Sequence, residues 1–379
     1  MLTVLLTSLV SFTITFLAIP AIMRVADQKK LFDVPDARKL HTRPIASLGG
    51  VGIFIGFLIP ILISIPANTN PEFQYFIASA IVIFFLGLKD DILVISAKKK
   101  FLGQLAATAI LVHLAGVRIN SMHGFLGIYE LPEIISILLS YITIIVTINA
   151  FNLIDGVDGL AGSLGVLTTA VFGVYFYLAG MPGYSMLSFT MMASLVAFLF
   201  FNFPPAKIFM GDSGSLLLGL TNALLVIKFI NVADSAAGQF PITASVAIGF
   251  SILIVPLLDT LRVFSMRIYK GRSPFSPDRN HIHHLLLDRG LSHSAVTLSC
   301  VGLNLFFIAM AYFGRKVGST VLLSSMITGW FLMIGVVINF WKSTPKLVIA
   351  KRYQRGETTT IQSSTKVVSM NSEAAIVEQ

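Results

Sequence analysis

Cysteine, charge and soluble-looking stretches are all scarce in this chain. Cys300 is the single cysteine among 379 residues, so a disulfide framework is excluded, and its place inside an apolar run gives no sign of a redox centre. Charged residues make up only 12% of the sequence, about half the share usual in a soluble domain. No loop is long enough to fold alone, and no internal repeat is visible. Acids are rarer than bases, 18 against 27, which makes the places where acids cluster informative.

What the chain has in abundance is apolar length. Hydrophobic residues are 55% of the sequence and the mean hydropathy is +0.84, which together specify an all-α, polytopic membrane protein. About 20 residues cross a hydrocarbon core roughly 30 Å thick. By that measure about eleven spans are predicted, near 2–23, 46–66, 73–89, 101–117, 133–149, 160–180, 186–203, 214–231, 240–262, 294–314 and 319–341. The first run lacks a basic leader and is followed by Arg24, Lys29 and Lys30, so it reads as a span and not as a cleaved signal. With the N-terminus outside and the C-terminus in the cytoplasm, all but Arg118, Lys228, Arg315 and Lys316 of the 27 basic residues fall on the inner side, as the positive-inside rule requires. The basic balance therefore reports topology and anionic lipid, not nucleic acid. Residues 1–342 read as one transmembrane domain. Residues 343–379 change to Ser, Thr, Lys, Glu and Gln and are expected to form a disordered cytoplasmic tail without a core.

Three acidic clusters interrupt the apolar runs, and this topology puts all three at the cytoplasmic face. Asp90 and Asp91 end the third span, followed by Lys98, Lys99 and Lys100. Adjacent carboxylates repel, and a divalent cation or a lysine is what normally offsets them. Taken alone, the pair is equally a solvated helix end. In the second cluster Asn149, Asn152, Asp155 and Asp158 recur every three residues across two Asp-Gly breakers. A simple turn needs one such residue, not four. The third cluster, IFMGDSGS, sets Asp212 among Gly211, Ser213, Gly214 and Ser215, with Asn202, Lys207 and Phe209 nearby. Small residues there would let backbone N–H groups at the start of the eighth span hold a phosphate, and a divalent metal would reconcile that phosphate with Asp212.

A fourth feature is basic. The loop around MRIYKGRSPFSPDRNHIHH carries Arg267, Lys270, Arg272, Arg279, His281, His283 and His284. No cysteine or distant histidine completes a structural zinc site. Forked arginines with histidine donors suit a phosphate clamp better.

Taken in order, the segments HTRPIASLGGVGIF, GLKDD, AKKKFLGQ, NAFNLIDGVDGLAGS, PAKIFMGDSGS and PDRNHIHH resemble those of the polyprenyl-phosphate N-acetylhexosamine-1-phosphate transferases, enzymes of glycosyltransferase family 4. The resemblance covers roughly residues 1–295. It implies transfer of a sugar 1-phosphate from a UDP-sugar to undecaprenyl phosphate with release of UMP, dependent on Mg2+ or Mn2+, at the cytoplasmic face of a bacterial inner membrane. It further implies that Asp212 is the principal metal ligand with Asp91, and that Asp90 and Asp91 form the acidic pair near the lipid phosphate. Lys98 and Lys100 fall where the family keeps a lysine. Asn149, Asn152, Asp155, Asp158 and Asn202 would line the nucleotide site, with Phe209 stacked on uracil. His281, His283 and His284, with Arg267, Arg272 and Arg279, would bind phosphate oxygens. The HIHH order resembles the branch that uses simple N-acetylhexosamines, which favours a UDP-N-acetylhexosamine, UDP-GlcNAc first with GalNAc, QuiNAc and FucNAc donors as alternatives, over a muramyl-peptide donor. UDP-sugar and undecaprenyl phosphate are the expected partners, with a homodimer as a further expectation.

A lipid phosphate cannot leave the bilayer and a UDP-sugar cannot enter it, so such a site must lie at the inner interface. A transporter would instead hold its acids near the midplane on broken helices. A non-catalytic homologue should have lost an acid, and every one is present.

Overall fold

The computed structural model describes residues 1–31, 45–65, 71–234, 239–271 and 281–341, and three short tail segments, 347–351, 367–370 and 374–378. In chain order the helices are α1 (Leu2–Lys29), α2 (Gly49–Ser64), α3 (Glu72–Ile92), α4 (Ala97–Ala109), α5 (Glu133–Ile154), α6 (Leu160–Leu178), α7 (Pro182–Asn202), α8 (Gly211–Ala233), α9 (Ser245–Ile252), α10 (Ile254–Tyr269), α11 (Ile282–Leu287), α12 (His293–Gly314) and α13 (Ser319–Phe340). A π-helical turn, Ile110–Leu114, extends α4, and a hairpin of β1 (Ser121–Phe125) and β2 (Ile128–Glu130) precedes α5. In the tail, β3 (Leu347–Lys351), β4 (Val367–Met370) and β5 (Ala374–Glu378) pair antiparallel in the order β3-β5-β4.

Every predicted apolar run falls on a helix, so the all-α membrane class holds. Among the described residues, seven helices are long and apolar enough to cross a membrane, or eight if α9 and α10 are one bent span. The eleven expected include α2, whose 16 residues fall short of a full crossing. The predicted ninth span is the one the structure breaks: α9 and α10 meet at 81°. Asn304 of α12 holds the break, its Oδ1 accepting from Val255 N at 3.2 Å and its Nδ2 donating to Ile252 O at 2.9 Å. A bend that opens the helix ladder is thereby supplied with both lost partners.

Helix α8 is the centre of the bundle. Its most apolar stretch is 83% buried, against 22% for that of α13, which is what a helix apolar on all sides demands. It packs against α5, α3, α2 and α9 at backbone distance, because three of its contacts are made by glycine. A Cβ added to Gly50 of α2 would lie 2.7 Å from Gly214 Cα; one on Gly87 of α3, 2.5 Å from Ser213 Cα; one on Gly219, 2.5 Å from Ile148 Cα of α5. Glycine is therefore what lets the neighbouring helices close on α8. At the far end from the acids, Lys228 Nζ donates to Glu72 Oε1 at 2.9 Å and the Tyr184 hydroxyl donates to the same oxygen, so α8 is also tied to α3 and α7 there.

Candidate active site

The site is built around the first turn of α8. Leading into it, Phe209 N donates to Ala46 O at 2.8 Å, Gly49 N to Phe209 O at 2.9 Å and Gly50 N to Met210 O at 2.8 Å, so the approach to α2 and the approach to α8 are stitched together. Gly211 then turns the chain at φ 71°, and a Cβ there would sit 2.7 Å from Asp91 Oδ1; no other residue fits both the angle and the space. The N–H groups that open a helix have no partner within it. Here Asp91, on α3, supplies it: Oδ1 accepts from Asp212 N at 2.6 Å, and Oδ2 accepts from Ser213 N at 3.0 Å and Ser213 Oγ at 2.7 Å. Asp91 thus acts as a helix cap lent by another helix, with its charge at the positive end of the dipole. The N–H groups expected to hold a phosphate are, for Asp212 and Ser213, already bonded to it.

The Asp212 side chain faces a different set. Asn152 Nδ2 donates to its Oδ1 at 2.6 Å and to Ser215 Oγ at 3.0 Å, while the Lys100 ammonium bonds Oδ2. The same ammonium lies 3.1 Å from Asp90 Oδ2 and 3.4 Å from Asn152 Oδ1. Asp90 Oδ1 is fixed by Ile95 N at 2.8 Å. One cation therefore joins two carboxylates from α3 and α8 with an amide from α5. Of the three consecutive lysines, Lys98 and Lys99 are exposed and Lys100 alone turns inward.

The Asn/Asp ladder divides into two layers. Asn152 reaches Asp212, and Asp155 stands just past the end of α5. Burial, together with the negative charges of Asp212, Asp91 and Asp158, pushes the Asp155 carboxyl up to about 8, which favours its protonated form. The others brace the scaffold. Asn149 pairs with the Gln104 amide, Nδ2 to Oε1 at 2.9 Å, and with Ile145 O at 2.8 Å. Asp158 Oδ2 accepts from Ala206 N at 3.2 Å and lies 3.4 Å from His293 Nδ1, while its carbonyl accepts from Thr297 Oγ1 at 3.0 Å. Asn202 is buried, accepting from Gly159 N at 2.9 Å and donating to Ile208 O at 2.8 Å. Phe209 is half-buried on the strand-like approach to α8.

The histidines sit at the start of α11. His281 Nδ1 is 2.8 Å from Asp259 Oδ2, and Ile282 N donates to Asp259 Oδ1 at 2.8 Å. The His281 and His283 rings stack with centroids 5.6 Å apart and planes 6° from parallel, and His284 lies 4.4 Å from His283. A Cβ on Gly156 would meet His283 Nε2 at 2.5 Å, so the histidine segment is packed on the Asp155-Gly156 turn. Burial, then the neighbouring His284, holds the His283 ring down to about 3. Arg267 is buried on α10, 5.8 Å from the Phe264 ring. Arg272 and Arg279 lie outside the described residues. Gln104, at the end of AKKKFLGQ, pairs with Asn149, and Asp259 and Arg262 belong to the site but stand outside the motifs that mark it in the sequence. For the last two the signal was present: an acid and a base inside a predicted span are a site by default.

The family profile described as glycosyl transferase family 4 matches residues 73–230. The chain is 32% identical over 290 residues to the probable undecaprenyl-phosphate N-acetylglucosaminyl 1-phosphate transferase of Bacillus subtilis, covering 75% of this chain and 77% of that protein. It is also 32% identical over 362 residues to the decaprenyl-phosphate N-acetylglucosaminephosphotransferase of Mycobacterium leprae, 87% and 89% of the two chains. The undecaprenyl-phosphate alpha-N-acetylglucosaminyl 1-phosphate transferase of Haemophilus influenzae matches at 32% over 289 residues, 75% and 79%. The chain belongs to glycosyl transferase family 4. The stretch that carries the family profile runs from α3 to α8 and holds every carboxylate of the site except Asp259. The membrane setting of this family 4 transferase agrees with its long apolar helices.

Asp90 and Asp212 offer a divalent ion hard oxygen donors, at a place where the Lys100 ammonium offsets their charge. Among the described residues no group of three His, Cys, Asp or Glu side chains converges. A magnesium site does not need one, since that ion takes one or two carboxylates and completes its shell with water and substrate phosphate. The donor set therefore fits Mg2+ or Mn2+. Asp91, expected to share the metal, has both oxygens hydrogen-bonded at the start of α8, while Asp90 lies across the Lys100 ammonium from Asp212.

Proposed function

We propose that this protein transfers N-acetylglucosamine 1-phosphate from UDP-N-acetylglucosamine to undecaprenyl phosphate, forming the lipid diphosphate sugar and UMP, as the first membrane step of a cell-envelope polysaccharide. The reaction takes place at the cytoplasmic face of a bacterial inner membrane. The observation that carries this reading is the junction of Asp90, Lys100, Asn152 and Asp212 at one end of four helices, in a chain whose relatives are named for this transfer.

Phosphoryl transfer requires in-line positioning and relief of negative charge, with little covalent work for the protein. Lys100 would supply a fixed positive charge to the transferred phosphate, and Asn152 would keep Asp212 oriented. Asp212 and Asp90 would hold Mg2+ or Mn2+, which when bound neutralises charge on the phosphates. The acceptor phosphate, with a second pKa of about 6, is largely ionised at pH 7, so no general base is obligatory and direct attack on the sugar-bearing phosphorus suffices. Asp155, protonated, would present an O–H donor to a substrate oxygen, where a second unpaired carboxylate would repel it.

The test is UMP release by the full chain in detergent with undecaprenyl phosphate and Mg2+, offering UDP-GlcNAc, UDP-GalNAc and UDP-MurNAc-pentapeptide separately. Turnover of UDP-GlcNAc that disappears in Asp212→Asn is the expected result. Turnover of another donor alone would replace the sugar, and turnover unchanged in the variant would remove Asp212 from the site.

A further inference from the structure

We infer that Asp259 is the positioning residue of the histidine segment, fixing His281 with its Nδ1 toward α10 and its Nε2 toward the transferred phosphate. This rests on the transfer proposed above. Asp259 lies in the apolar helix α10 at 1% exposure, where an ionisable side chain is costly unless it is paired and used.

Its two oxygens are divided between neighbouring residues of another segment. Oδ2 takes the His281 ring at 2.8 Å; Oδ1 takes the backbone N–H of Ile282 at 2.8 Å and Arg262 Nη2 at 3.1 Å. One carboxylate thus sets both where α11 starts and how the ring just before it is turned. The ring is fixed a second time by the parallel stack on His283, itself packed against Gly156. One edge of the His281 ring is bonded and one face is stacked, and both contacts hold it in this orientation.

The chemistry follows from which nitrogen is engaged. A carboxylate at Nδ1 keeps the proton on that atom, so the opposite atom, Nε2, is the one left to meet a ligand. Arg262 balances the buried acid. If Asp259 only capped α11, the Ile282 bond would suffice and the ring bond would carry no consequence.

The test is a cycle of Asp259→Asn, His281→Gln and the double variant, assayed for UMP release from UDP-GlcNAc with undecaprenyl phosphate in full-length protein, alongside 15N NMR of the histidine rings. Asp259→Asn is expected to lower kcat more than about tenfold with KM for UDP-GlcNAc within about threefold, and to cost less than about twofold when His281 is already Gln. The wild-type His281 ring is expected as the Nδ1–H tautomer, a signature lost in Asp259→Asn. An equal loss in both backgrounds, or wild-type kcat in Asp259→Asn, would overturn the inference. If the wild type turns over no UDP-sugar, the proposed function has failed by itself, and the tautomer still decides this point: Nε2–H in the wild type overturns it. The wild-type tautomer is likewise decisive should Asp259→Asn not fold.

Discussion

Asp91 and Asp212 are joined through backbone, the Asp212 N–H lying 2.6 Å from Asp91 Oδ1, while Asp90, one residue earlier, reaches Asp212 through the Lys100 ammonium. The adjacent acids of GLKDD therefore have separate duties. One anchors the helix that carries Asp212, and the other shares its cation.

That division predicts different phenotypes. Asp91→Ala removes three hydrogen bonds, two of them to helix-opening N–H groups, and leaves those donors unpaired, a loss on the order of 2 kcal/mol or more. Its thermal midpoint in detergent should fall along with activity. Asp90→Ala should lose activity with a smaller fall in midpoint. Equal destabilisation by both would show that the pair acts as one unit.

The three lysines are equally separable. Removing a single preorganised charge from a phosphoryl-transfer site typically costs about 100-fold or more in kcat, and Lys100→Gln should show a loss of that size. Lys98→Gln and Lys99→Gln, both at exposed positions, should stay within about threefold, with any change appearing as weaker binding to anionic vesicles. A loss at Lys98 matching that at Lys100 would place the substrate elsewhere along α4.

The apolar runs and acid clusters placed the helices and brought Asp90, Lys100, Asn152 and Asp212 to one end, because membrane thickness and the cost of buried charge leave few other arrangements. Spacing could not say which of Lys98, Lys99 and Lys100 faces inward, since that depends on where α4 begins. It groups Asn149, Asp158 and Asn202 with Asn152, but does not show the hydrogen bonds that tie each of the three to a neighbouring segment. The break at Leu253 was hidden because the apolar pattern continues unbroken through it. Its partner, Asn304, lies some fifty residues away on α12.

Asn304 should therefore be needed for the bend. Asn304→Leu keeps the volume and leaves Val255 N and Ile252 O without their partner in an apolar surround, at roughly 1–3 kcal/mol for each buried group. The expected outcome is a lower thermal midpoint and faster amide exchange confined to α9 and α10. Unchanged exchange there would mean that the bend is held by packing alone.

Glycine contacts on α8 give a sharper geometric test. A methyl at Gly87 would sit 2.5 Å from Ser213 Cα, and the atom in its way is backbone, so Gly87→Ala must displace the first turn of α8 and with it Asp212. Activity and stability should both fall. Gly302 on α12 has nothing within 4 Å of the same methyl, and Gly302→Ala should be neutral or stabilising by up to about 1 kcal/mol. Retained activity in Gly87→Ala would mean that α3 and α8 can separate without loss of the site.

His283 gives the chain a specific weakness to acid. Its ring is held down to about 3 in the folded protein against an ordinary 6.5, so between these values the unfolded chain binds a proton that the native one does not. By linkage, stability from this group is complete above pH 6.5 and declines as pH falls toward 3. At about pH 5 the deficit is on the order of 2 kcal/mol, using 1.36 kcal/mol per unit. The drop in thermal midpoint between about pH 7.5 and pH 5 should then be smaller in His283→Gln than in the wild type, even if the variant begins from a lower value. An equal drop in both would mean that His283 takes up its proton while folded, and that its packing against Gly156 yields to let water in.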